Sequence, residues 1–138
     1  MGIYGEKVTG DQLISPFGNG RMLSAMSLFA RRDGDGVWRG AVRHLVDGLV
    51  DLAVDAGDMA YFWPHIQLAI KDRPENTEVP THSNNFDGVS RVTHGLVHAH
   101  RLLEYEPCLT LARKTINFMR RYYFGHDGSF LSSPGNPL

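Results

Sequence analysis

Residues 37–56, VWRGAVRHLVDGLVDLAVDA, decide the fold class. Trp38, Ala41, Val42, Leu45, Leu49, Leu52 and Ala53 recur every three or four residues, the spacing that gathers side chains on one face of an α-helix. Asp47, Asp51 and Asp55 fall on the opposite face, which reads as a solvated surface. Just upstream, Asp33, Gly34, Asp35 and Gly36 form a turn. Before that turn, from Gly20 to about Arg32, Met22, Leu23, Ala25, Met26, Leu28 and Phe29 keep helical spacings. Two helices joined so tightly make an αα-hairpin with antiparallel partners. The Asp-Gly-Asp-Gly turn also begins like a calcium loop, but Trp38 stands where an EF-hand requires glycine, so turn chemistry is the better explanation.

Further along, Val92, Leu96, Ala99 and Leu103 mark a helix from about Val89 to Glu104, with Ser90 near enough to its start to cap it. Pro107 separates it from a fourth helix, about Cys108 to Phe124, carrying Leu109, Ala112, Ile116, Met119 and Tyr123. Arg120 and Arg121 suit its C-terminal dipole, and Gly125 reads as a cap. Between the hairpins the period is lost: 60–63 reads as extended, 65–70 as one helical turn, and 71–85 as polar loop with Pro74 and Pro80. Residues 1–19 read as an irregular, glycine-rich arm and 125–138 as a peripheral tail. The sequence therefore predicts an all-α chain of two αα-hairpins, at 20–58 and 89–124, with a long intervening loop at 59–88. Such a repeat of hairpins suits a slice of a solenoid or toroid.

The chain has 138 residues, 42% of them hydrophobic, with 14 Lys plus Arg against 15 Asp plus Glu. One domain's worth of chain that is this apolar is no disordered tail, and a net charge of -1 gives no global reason to expect a nucleic-acid or membrane-surface partner. The single cysteine, Cys108, excludes an internal disulfide and a multi-cysteine metal cluster within the chain. No apolar run approaches the roughly 20 residues that span a bilayer, and the start lacks a secretory pattern, so a cytoplasmic, soluble protein is expected.

The segments GRMLSAMSLF at 20–29, THGLVHAHRLLEY at 93–105 and LTLARKTINFMRRYY at 109–123 resemble the repeating hairpins of six-hairpin glycosidases, most closely the bacterial β-L-arabinofuranosidase type. The resemblance covers roughly residues 16–130. It implies a segment of an α/α toroid in which inner helices, often with His near their start, alternate with outer helices. It further implies a glycoside-hydrolase-like protein or fragment whose inner helix presents His94, His98 and Arg101 to sugar hydroxyls. The family's catalytic carboxylate and its zinc-holding paired cysteines have no counterpart in this chain, so no catalytic residue is carried over.

The residues themselves offer several constellations. His94 and His98 are four apart and share a helix face with Arg101 and Tyr105, opposite the apolar stripe. This face reads as a solvated surface, as a sugar or small-ligand site, or as a metal pair completed by His82, Asp87 or His100. His100, nearer the stripe, reads as a hydrogen-bonded packing residue. The loop containing His82, Asn84, Asn85, Phe86 and Asp87 mixes amides, a carboxylate and a ring, as sugar sites do. Trp63, with Tyr61 and Phe62, offers either a stacking platform or buried anchors. A glycosidase needs a carboxylic acid to protonate the leaving oxygen; Asp87, Glu104, Glu106 and Asp58 are candidates, and Asp87 is the preferred one. Cys108 at a helix start offers a thiol nucleophile or a packed residue. The preferred expectation is carbohydrate processing without a cofactor; the competing one is a non-catalytic helical module for protein interaction or self-association. A homo-oligomer or the remainder of a longer chain would cover the apolar surface that two hairpins leave.

Overall fold

The computed structural model describes residues 5–8, 11–63, 66–67 and 86–131. The chain is mostly helical and built from two αα-hairpins. Helix α1 (Pro16–Asp33) starts where the Ser15 hydroxyl accepts a hydrogen bond from the Gly18 N–H at 3.2 Å, with Pro16 in the first turn. It stops at Gly34, whose φ of 76° is the left-handed conformation that glycine adopts without strain. Asp35 then caps α2 (Gly36–Leu52), its carboxylate accepting from the Val37 N–H at 2.8 Å. Helices α3 (Phe86–Leu103) and α4 (Glu106–Tyr122) form the second hairpin, joined through Glu104 and Tyr105.

Of the helix stripes read from the sequence, Val42, Leu45, Leu49 and Leu52 of α2, and Val92, Leu96 and Ala99 of α3, enter one core with Leu23 and Ala30 of α1. Each fully buried side chain of this size contributes about 1.5–3 kcal/mol through removal from water. Trp38 of α2 and Ile116 of α4 are instead exposed, and α4 buries Cys108, Leu111, Ala112, Thr115 and Phe118, of which only Ala112 belongs to the expected stripe. A second, smaller cluster joins Tyr61, Val89, Phe118 and Tyr123, with the Tyr61 and Phe118 rings stacked at 5.5 Å. Buried hydroxyls of Thr93 and Thr115 hydrogen-bond to each other at 2.7 Å and tie α3 to α4.

Helix α1 packs most extensively on α3, from the other hairpin. Phe17 lies over Gly88, Gly20 over Val92 and Gly95, and Ser24 over His94, so the two helices run parallel. A Cβ at Gly20 would sit 2.6 Å from the Val92 Cα, and one at Gly95 would overlap the Gly20 carbonyl oxygen. Behind this pair, α2 packs on α1, α4 packs on α3, and α2 and α4 touch. The first helices of the hairpins thus form one layer and the second helices another.

Several expectations are corrected. The stretch 1–19 is not a plain irregular arm: β1 (Gly5–Val8) and β2 (Asp11–Ile14) form an antiparallel hairpin and α1 begins at Pro16. Strands β3 (Val54–Asp55) and β4 (Ala60–Tyr61) pair after α2, so Asp55 lies beyond the helix whose period suggests an end near Ala56. Ile66–Gln67 is strand β5, paired with β2 by backbone hydrogen bonds, where the sequence suggests a helical turn. Helix α3 starts at Phe86, so Ser90 lies inside it and donates to the Asp87 carbonyl rather than capping. Tyr123, not Gly125, closes α4, and Pro107 lies in its first turn instead of preceding it. The tail is not peripheral as far as Leu131: its N–H bonds the Tyr123 carbonyl at 2.7 Å, and Phe130 packs on Phe86 and Phe124. Among the described residues, no helix is long and apolar enough to cross a membrane.

Replacing Gly95 by alanine forces α1 and α3 apart and should cost about 1–3 kcal/mol. Gly40, in α2 with open space for 4 Å around the point a Cβ would occupy, should tolerate alanine or gain up to about 1 kcal/mol. Urea midpoints of the two variants check this; equal midpoints would contradict the close helix contact.

Candidate functional site

The front of the α1/α3 layer carries the polar constellation. With about 100° per residue, α3 turns Gly88, Val92, Gly95 and Ala99 toward α1, so Asp87, His94, His98 and Arg101 fall roughly 90–140° away on one exposed side. The His94 and His98 Nε2 atoms are 3.0 Å apart, their rings crossing edge to face at 4.4 Å. From α1, the Ser24 Oγ lies 3.3 Å from His94 Nδ1. A continuous hydrogen-bonded line, Ser24 to His94 to His98, therefore bridges the two helices. Because neutral imidazole has one N–H, His94 donates at one nitrogen and accepts at the other, and the line works in either direction.

His98 Nδ1 is buried without a hydrogen-bond partner among the described residues. Burial, then the charge fields of His94, Arg101 and Arg31, hold the His98 imidazolium pKa below its ordinary 6.5. His98 is therefore neutral at pH 7, with its Nε2 engaged by His94 and its Nδ1 buried.

This arrangement orients polar groups more readily than it attacks a carbonyl. Ser24 and both histidines sit inside helices, where backbone N–H groups bond to carbonyls four residues back, so these helices offer Ser24 no pair of free N–H groups as an oxyanion hole. No group of three or more His, Cys, Asp or Glu suited to a metal ion occurs among the described residues.

The other sequence candidates are scattered. Asp87 is on the front face but 66% exposed and bound to Arg91 at 2.6 Å, without the apolar enclosure that typically surrounds a glycosidase acid. Trp63 is half-buried against the main core, and Tyr61 and Phe62 are buried, so the three aromatics are anchors. His82, Asn84 and Asn85 lie outside the described residues. His100 is a packing residue, its Nδ1 3.3 Å from the Tyr105 carbonyl. Tyr105 does not continue the histidine face: it turns to α2, donating to Asp47 at 2.9 Å beneath the Arg43 guanidinium, 3.5 Å from the ring centre. Asp47 is accordingly no mere solvated residue, and Asp55 is held at 2.7 Å by Lys114, which keeps its carboxyl below the usual range. Cys108 is fully buried, and burial pushes its thiol up to about 11, which removes the nucleophile reading.

Sequence reasoning does not reach Ser24, whose partner lies 70 residues away and which carries no local signal. Nor does it reach two concavities. One, of about 500 Å³, runs along the far side of α3 beside Phe86, Ser90, His94, Val97 and Met119. The larger, about 730 Å³, lies beyond the end of α4 and is lined by Asp58, Asn117, Arg120, Arg121 and His126. Of the sequence candidates it holds only Asp58.

Compared with protein-family models, with curated proteins and with solved structures, the chain matches none.

A histidine whose pKa is lowered on folding binds fewer protons than in the unfolded chain. Its contribution to stability is complete above the unfolded value near 6.5 and is lost as pH falls toward the folded value. Proton-detected imidazole titration should place His98 below 6.5, and the His98→Gln variant should show a shallower loss of stability from pH 7 to 5 than the parent. A His98 midpoint at or above 6.5 would contradict the burial of this ring.

Proposed function

We propose that this chain is a glycoside-hydrolase-like carbohydrate-processing module, two consecutive hairpins of an α/α toroid whose α1/α3 face holds sugar. The observation that carries the reading is the layering: α1 and α3 lie side by side and parallel, with α2 and α4 behind them. In a toroid of hairpins the first helices line the centre, which puts Ser24, His94, His98 and Arg101 where a sugar would sit. Imidazoles and a hydroxyl, already oriented by one another, are suited to sugar hydroxyls, each of which donates and accepts. Asp87, exposed and paired with Arg91, is a carboxylate of this face placed to accept from a sugar hydroxyl.

The open sides of the layer fit the same reading. Met22, Ala25 and Phe29 lie roughly 180° around α1 from the α3 contact, and Met22 and Phe29 are 43% and 50% exposed. Phe29 meets Trp38 of α2 edge to face at 5.2 Å. On the opposite side, Phe86, Ser90 and Val97 of α3 and Met119 of α4 line the shallow groove. Each side is suited to a further hairpin, stacked as these two are stacked on each other.

The second reading, a module for helical self-association, is favoured by that stripe alone. It separates from the first by ligand binding. Thermal shift and calorimetry with a panel of mono- and disaccharides should find one sugar class that stabilises the fold. His94→Ala and His98→Ala should weaken that binding at least about tenfold, the scale of a lost hydrogen-bonding group at about 1.4 kcal/mol. Indifference to every sugar, together with association that Phe29→Glu abolishes in sedimentation equilibrium, would replace the first reading by the second.

A further inference from the structure

The proposed sugar face is unusually rich in unpaired cations for a chain of net charge -1. Among the described residues, ion pairs take up Arg43, Arg91, Arg113 and Lys114. They leave seven arginines exposed and without a carboxylate partner among those residues: Arg21, Arg31 and Arg32 of α1 and Arg101 of α3, which border the proposed face, and Arg39 of α2 and Arg120 and Arg121 of α4, which lie elsewhere. Around α1, Arg31 points along the direction of Gly20 and Ser24, toward α3, while Arg21 and Arg32 stand roughly 100–120° from it, on the front. Arg101 follows His98 by three residues and so flanks it on the same face. Among the described acidic residues, Asp47 and Asp51 belong to α2, Asp55 and Asp58 to the strand region after it, and the Asp87 carboxylate is paired with Arg91; Asp33 and Asp35 follow Arg32 at the end of α1, and Glu104 follows Arg101 at the end of α3. The front of the layer thus carries more arginines than carboxylates around its hydrogen-bonding groups.

Neutral sugar hydroxyls do not call for unpaired guanidinium groups, whereas a carboxylate or sulfate matches the planar donor fork of arginine. A nucleic acid would call for exposed rings among the arginines, but the exposed rings of α1 and α2, Phe29 and Trp38, lie toward the side of the layer away from α3. We propose that the α1/α3 face selects acidic saccharides, with Arg31 and Arg101 taking the carboxylate or sulfate group and Ser24 and His94, positioned by His98, holding neighbouring hydroxyls. The inference rests on the sugar-binding reading above and narrows its substrate class.

The test is calorimetry of the whole chain with matched pairs, glucuronate against glucose and galacturonate against galactose, together with oligouronates, inorganic sulfate and a short single-stranded oligonucleotide. The acidic member of a pair should bind at least about tenfold tighter at low salt, and that preference should shrink as salt rises. Arg31→Gln with Arg101→Gln should remove the preference while leaving the melting temperature unchanged, since both side chains are exposed. His94 and His98 imidazole signals should move with the acidic sugar. Equal affinity within each pair overturns the inference and leaves the sugar-binding reading standing. Sulfate or the oligonucleotide binding more tightly than any uronate overturns it in favour of a simple anion or nucleic-acid face. Failure of every sugar, acidic and neutral, overturns both readings.

Discussion

The near-contact of two backbones at Gly20 and Gly95 governs the arrangement of the whole chain. Each glycine lies where a Cβ would strike the opposite helix, so α1 and α3 approach closely over their shared length. That approach removes Leu23, Val92 and Leu96 completely from solvent and sets the parallel register from Phe17–Gly88 to Ser24–His94. The two hairpins then have one relative position: α2 and α4 are behind, and the polar sides of α1 and α3 share a front. The hydrogen-bonded line from Ser24 through His94 to His98 is a consequence of the register, because a shift of one helical turn, about 5.4 Å, would separate its members.

Helices α2 and α3 are legible in the sequence because most of their apolar residues keep to one stripe. His94 and His98 are legible for the same reason, since a spacing of four in a helix fixes a shared face. Helix α4 is legible as a helix but not in its buried face, since Thr115 turns inward to Thr93 while Ile116 is exposed. Helix α1 is only half legible. It carries apolar residues on two sides, Leu23 and Ala30 inward and Met22 and Phe29 outward, so periodicity identifies a helix without saying which side is buried. The β1–β2 hairpin is hidden because four-residue strands in a glycine-rich stretch give too few alternations to register. Tyr105 departs from the face its spacing suggests because it follows the end of α3, where Glu104 at φ 51° turns the chain toward α2 and the helical period no longer applies.

The site is legible on α3 and silent on α1. Ser24 reads as an ordinary helix residue until the fold brings it to His94, and the unpaired arginines of α1 and α3 read as scattered charge until the layer collects them. The chemistry of the assembled face is that of recognition: mutually oriented hydrogen-bonding groups bordered by arginines, with a carboxylate held by its own arginine. Nothing in the helix-bound backbone around Ser24 is arranged to stabilise an oxyanion, which separates this line of residues from the hydrolytic relays it superficially matches.

The most direct test is a map of backbone amide chemical shifts during titration with the tightest-binding saccharide. Perturbations should cluster on the front of α1 between Arg21 and Arg32 and on α3 between Asp87 and Arg101, with little change behind them in α2. Perturbations centred instead on Asp58, Asn117, Arg120, Arg121 and His126, around the larger concavity beyond α4, would contradict the assignment of the α1/α3 face as the site.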